Sequence, residues 1–172
     1  YGLRRAAIAV IRMIKQLESP VYLGGTLDFA LEGLADKLAR PKDEVKAEVM
    51  EFIGARNQGL LTAAGVPTDV AQAVLAAGFD DLRATEQRAL ALASVKDSPD
   101  FAPLAVGMKR VMNILRKEAA EVPEEPPREA LMSEAAERGL FESFKALEAE
   151  AQDRFTQGDF KGFLQGVSAL KV

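Results

Sequence analysis

The stretch Met108–Lys117 reads M-K-R-V-M-N-I-L-R-K, and its pattern decides the fold class. Met108, Val111, Met112 and Leu115 fall at i, i+3, i+4 and i+7, the spacing of one helix face. Lys109, Arg110, Asn113, Arg116 and Lys117 stand away from that stripe, with no acid among them. The helix therefore has an apolar side and a basic side. Its apolar residues Val111, Ile114 and Leu115 are assigned to the core. Asn113 is a poor residue for a helix interior, because its amide competes for backbone hydrogen bonds. It implies either a polar contact outside the helix or a bond to a neighbouring loop.

The same 3.6-residue rhythm extends in both directions. Upstream, Asp100 is placed to cap the helix, with Pro103 in the first turn, where a missing N–H costs nothing. Before it, Asp80-Asp81 starts a helix with Leu82, Ala89, Leu90 and Ala93 inward. Thr68 or Asp69 caps a short helix that Gly78 closes. Pro41 stops one helix and opens the next, in which Val45, Val49, Phe52, Ile53, Arg56 and Leu60 mark the core face. Gly24-Gly25 reads as a loop and Thr26 as the N-cap of a helix through Leu27, Leu31, Leu34 and Leu38.

Leu3–Leu17 forms the first helix, its stripe made by Leu3, Ala7, Val10 and Ile14, with Ile8 and Ile11 extending the apolar surface around it. Downstream, the acidic segment Glu118–Pro127 carries three prolines and breaks the helical pattern. A long helix with Leu140, Phe144, Leu147, Ala151 and Phe155 on one face follows it. Gly158-Asp159 separates this helix from a last stripe through Phe160, Phe163, Leu164, Val167 and Leu170. Gly162 and Gly166, four apart, predict a closely packed neighbouring helix. No stretch alternates with period two, so no strand is predicted. The expectation is an all-α chain of about eight helices, divided into segments 1–80 and 81–172.

The bulk properties fit this reading. The chain has 172 residues, 28% of them charged, and a net charge of −4. That is the balance of a globular protein rather than a disordered one. A modest negative charge rules out a uniformly cationic nucleic-acid binder but permits a local basic patch. No apolar run predicts a membrane span. Both ends stop in helical rhythm without caps, so a fragment of a longer polypeptide is expected.

Cysteine and histidine are both absent. Disulfides, thiolate metal sites, His-dependent triads and zinc-water hydrolysis on His ligands are thereby excluded. The carboxylates Glu134, Glu137, Glu142, Glu148, Glu150 and Asp153 have the spacing of a solvated helix face. No catalytic residue and no metal site is assigned. The cations remain. Lys109, Arg110, Arg116 and Lys117 make either a solvated face or a phosphate-binding one. Arg5 and Arg12, two turns apart on the first helix, either pair with carboxylates elsewhere or touch RNA.

Four segments together resemble a known family. Lys109–Leu115, K-R-V-M-N-I-L, resembles the K-R-V-x-N-I-L signature of the anticodon-binding domain in the β subunit of bacterial glycyl-tRNA synthetase. Leu3–Ala7 is similar to the L-R-R-A-A helix preceding that domain. Asp69–Leu75 resembles its D-x-x-x-A-V-L segment, and Phe155–Phe160 its aromatic-x-x-G-x-aromatic turn. The matches keep the family's order along essentially the whole chain.

The resemblance implies a C-terminal fragment of that subunit. A helical body segment would be followed by an anticodon-binding bundle, truncated because the family continues past the last helix. The basic helix face makes Lys109, Arg110, Asn113, Arg116 and Lys117 the expected RNA-binding residues, with Arg5 and Arg12 as further candidate RNA or subunit contacts. The resemblance implies tRNA-Gly and the α subunit as partners, and a cytoplasmic location. ATP is used by the whole enzyme, and no cofactor is expected in this fragment. The alternative is a helical scaffold or subunit-interaction module without RNA contact.

Overall fold

In a computed structural model the structure describes residues 2–118 and 127–169. Eight α-helices run through them. They are α1 (Gly2–Gln16), α2 (Leu23–Glu32), α3 (Lys42–Ala63), α4 (Thr68–Ala76), α5 (Leu82–Val95), α6 (Phe101–Glu118), α7 (Ala135–Thr156) and α8 (Phe160–Ser168). Single 3-10 turns lie at Ala35–Lys37 and Glu129–Leu131. The described residues contain no strand, only an isolated antiparallel bridge between Tyr22 and Asp81. The expected all-α class holds. The chain divides into two compact units, Tyr1–Ala93 and Ser94–Val172.

In the first unit α3 is the spine. Its 22 residues give a rod about 33 Å long, and α1, α2 and α4 all pack on it. One end of the unit buries Ile11, Leu23, Ile53 and Leu82 together. The other gathers Leu61, Val66, Val70, Ala71, Val74 and Ala89. Each of the larger side chains, fully withdrawn from water, contributes roughly 1.5–3 kcal/mol.

The helix ends are set by particular side chains. Gly78 takes φ +110°, which an L side chain resists, and ends α4 one residue beyond its C-cap. The Asp81 carboxylate accepts from the amides of Arg83 and Ala84, both at 2.9 Å, and so starts α5 as its spacing predicts. Arg83 in turn donates to the carbonyls of Leu17 and Glu18 at 3.1 and 2.9 Å, tying the chain just past α1 to the start of α5.

Several expectations are corrected. Thr26 does not cap α2. That helix begins at Leu23, with Gly24 and Gly25 inside it, because Asp80 reaches its first turn. The Leu23 amide donates to the Asp80 carbonyl at 2.9 Å and the Gly24 amide to Asp80 Oδ1 at 2.6 Å. α2 also stops at Glu32 rather than continuing through Leu38. Pro41 and Pro67 stand as the N-cap residues of α3 and α4, where Pro41 is expected inside the first turn of α3 and Thr68 or Asp69 as the cap of α4.

On α1 the inward face is Ala7, Ile8, Ile11, Ile14 and Lys15, whereas Leu3 is 79% exposed and Val10 is exposed. Nearly every residue of this helix that is not charged is apolar, so two faces compete for the core. Leu90 on α5 is likewise exposed.

In the second unit α7 packs on α8 and α6 touches α8. A capping box joins Glu134 and Glu137 at the start of α7. Those two carboxylates therefore close a helix end rather than merely face solvent. Phe155 meets Phe160 and Phe163 edge-on, with ring centroids 5.3 and 5.4 Å apart.

Asp159 caps α8 by accepting from the Gly162 amide at 2.9 Å. A Cβ on Gly162 would strike the Asp159 carboxylate and Arg154, while one on Gly166 would meet nothing within 4 Å. Gly162 thus makes room for an N-cap carboxylate, and neither glycine makes room for another helix. Leu170 and most of the predicted Glu118–Pro127 loop lie outside the described residues. No helix among the described residues is long and apolar enough to cross a membrane.

Candidate nucleic-acid interface

The candidate site is α6. Ser98 Oγ accepts from the Phe101 amide at 3.3 Å and helps turn the chain into the helix. Pro103 sits in the first turn, as its fixed φ allows. Arg116 and Lys117 lie in the last turn, where the helix dipole favours cations.

Lys109, Arg110, Asn113, Arg116 and Lys117 are all exposed. None of the five side chains has a hydrogen-bond or ion-pair partner among the described residues. Asn113 is therefore not holding a neighbouring loop there. From Phe101 to Lys117 the helix carries no carboxylate, so nothing on it neutralises the four cations. Such a surface draws anions by unshielded charge and supplies guanidinium forks for bidentate contact with a phosphate. The structure brings these five together on one helix. Arg5 and Arg12 are exposed on α1 in the first unit.

The core assignment within α6 is corrected. Val111 is 48% and Ile114 54% exposed, and Met108 and Met112 are exposed as well. Of the residues assigned to the core, only Leu115 is half-buried. The physical reason is sparse packing. α8 is the principal neighbour of α6 in this unit, and one 9-residue helix cannot cover the apolar stripe of an 18-residue one.

Acid-based chemistry finds no support in the geometry. Among the described residues no group of three or more His, Cys, Asp or Glu could hold a metal ion. A polar cavity of about 370 Å³ in the second unit is lined by Ser94, Val95, Ser98, Asp100, Lys161, Gln165 and Ser168, with a single carboxylate. Arg56 falls within the core stripe predicted for α3. Its guanidinium instead stacks on Phe52 at the rim of a groove. A cation interrupting an apolar stripe is the signal for it.

Comparison with known proteins adds the family. A model of the family described as glycyl-tRNA synthetase beta subunit matches residues 1–76. The chain is 42% identical over 171 residues to the glycine–tRNA ligase beta subunit of Geobacter sulfurreducens, an alignment covering 99% of this chain and 24% of that protein. It is 39% identical to the corresponding subunit of Trichlorobacter lovleyi, with the same coverage. For Myxococcus xanthus the identity is 34% over 176 residues, covering 99% of this chain and 25% of the relative. The chain thus spans about a quarter of the length of these relatives.

The region matched by the family model is N-terminal in this chain, and the K-R-V-M-N-I-L segment lies outside it. Along 99% of its length the chain is thus similar, at 34–42% identity, to glycine–tRNA ligase beta subunits.

Proposed function

We propose that this chain is the tRNA-binding, anticodon-arm part of a glycine–tRNA ligase β subunit, serving ATP-dependent attachment of glycine to its tRNA. The observation that carries this reading is the exposed, acid-free cationic face of α6. Phosphate-backbone binding requires several cations on one accessible surface, and Lys109, Arg110, Arg116 and Lys117 supply them. Asn113 adds a side chain able to donate to and accept from a base edge. In this reading the chain contributes no catalytic residue and no cofactor site. Glycine and ATP are handled by the α subunit, and the enzyme works in the cytoplasm.

The test is titration of tRNA-Gly against the complete α/β enzyme carrying Lys109→Ala and Arg110→Ala. Affinity falls, and the salt slope becomes shallower by roughly 0.7–0.9 for each phosphate that is no longer neutralised. Unchanged affinity and slope would remove α6 from the RNA surface.

The exposed Met108, Val111, Met112 and Ile114 favour a second reading, in which α6 docks on protein within the ligase. Hydrogen exchange on the α/β enzyme separates the two. Protection of α6 without tRNA supports protein docking, and protection that appears only with tRNA supports RNA binding.

A further inference from the structure

We infer that the groove between α1 and α3 is a second anion site, built to take a phosphate group together with its sugar. The inference rests on the RNA-binding reading of the chain, but it concerns different residues in the other compact unit.

A cavity of about 370 Å³ opens there, lined by Arg4, Ile8, Ala55, Arg56, Gly59 and Leu60. Arg4 and Ile8 are one turn apart on α1. Arg56 and Leu60, and Ala55 and Gly59, are one turn apart on α3. Two arginines thus share a groove whose lining contains no carboxylate.

Arg56 is held in place. Its Cζ lies 3.5 Å from the centroid of the Phe52 ring, and its Nη1 donates to the Phe52 carbonyl at 3.2 Å. Stacking fixes the guanidinium plane. The single backbone bond occupies one of its five N–H groups. Arg4 is exposed and has no partner among the described residues.

A pre-set planar fork and a second free guanidinium suit bidentate contact with two phosphate oxygens better than two ammonium groups would. The remaining walls are apolar, from Ile8 and Leu60. A Cβ added at Gly59 would meet nothing within 4 Å, so the floor is open. The volume falls near the lower end of small-molecule pockets, roughly 300–1,000 Å³, and exceeds what a bare anion fills. That excess room leaves space beside the phosphate for the sugar it is esterified to.

The test uses the 172-residue chain with inorganic phosphate, ribose 5-phosphate and acetate as probes, at constant ionic strength. The readout is the Nε–Hε resonances of the arginines. Phosphate shifts Arg4 and Arg56 and leaves Arg5 and Arg12 in place, ribose 5-phosphate binds more tightly than phosphate, and acetate does not compete. Arg4→Gln, on an exposed side chain that does not threaten the fold, weakens phosphate binding about tenfold, as does Arg56→Lys, which keeps the charge and loses the fork.

Equal shifts at all four arginines, or acetate binding as well as phosphate, would overturn the inference. The second result would make the groove a seat for protein carboxylates. Lys109→Ala with Arg110→Ala leaves the phosphate shifts unchanged, so failure of the α6 reading and failure of this site are told apart.

Discussion

The ring of Phe79 lies so close over Gly54 that a Cβ built on the glycine would stand 2.9 Å from Phe79 Cζ. Gly54 is fully inside α3 and buried, so its missing side chain is the space the ring occupies. Gly54→Ala gains up to about 1 kcal/mol of helix propensity. It loses about 1–3 kcal/mol by forcing the ring outward, and the loss wins. Gly59→Ala, one and a half turns along the same helix with nothing within 4 Å, keeps the gain alone. Urea denaturation of the two variants should move the midpoint in opposite directions. A Gly54→Ala protein as stable as Gly59→Ala would refute the packing argument.

A second expectation concerns the cap delivered from afar. Asp80→Ala removes the acceptor of the Gly24 amide and costs about 1 kcal/mol, in the range of an N-cap loss. Asp80→Asn retains an oxygen acceptor and recovers most of it. Circular-dichroism melts of both variants check the order. Thr26→Ala, at the position where the sequence pattern puts the cap, changes little, because its hydroxyl only donates back to the Tyr22 carbonyl at 2.9 Å.

Lys15 and Glu86 form an ion pair at 3.0 Å in which the Lys15 side chain is 11% exposed and that of Glu86 is 35% exposed. Removing the more exposed partner strands the more buried charge. Glu86→Gln therefore destabilises by about 1–2 kcal/mol. Lys15→Met keeps the packing of the stem and costs less. Equal losses in chemical denaturation would mean that the pair, not the stranded ammonium, sets the effect.

Two carboxylates set an acid limb. The hydrogen bond from Lys46 holds Asp28 below its ordinary 3.8, aided by the charges of Lys46 and Lys42. The hydrogen bonds from Arg40 hold Glu48 below its ordinary 4.5. Both groups bind their proton less readily folded than unfolded. Their stabilisation is thus complete above those ordinary values and is lost as pH falls through the lower folded ones. Thermal melts from pH 6 to pH 2 should show Lys46→Met and wild type converging at the acid end. Molar salt should narrow their gap at pH 6, since both pairs sit at the surface.

What can be read from the sequence is what local chemistry decides. Gly78 and Asp81 mark their helix ends because an αL turn and an N-cap are made by neighbours in sequence. The start of α2 is illegible because its cap comes from Asp80. The inward face of α1 is ambiguous because Leu3 and Val10 obey the helical period as well as Ile8 and Ile11 do. Periodicity finds apolar faces but does not rank them. The cations of α6 are legible because long charged side chains without acids nearby stay in water. The Arg4–Arg56 groove is not, since its two arginines meet only through the packing of α1 on α3.

The bond from Gly24 to Asp80 also has a consequence in time. The two residues are 56 positions apart, and Arg83 reaches back 65 and 66 positions to Glu18 and Leu17. A ribosome delivers α1 and α2 long before it delivers the groups that finish their ends. Closing so long a loop costs entropy that only the later contacts repay. Until Asp80 and Arg83 have emerged, the nascent α1 and α2 lack the contacts that tie them to the start of α5.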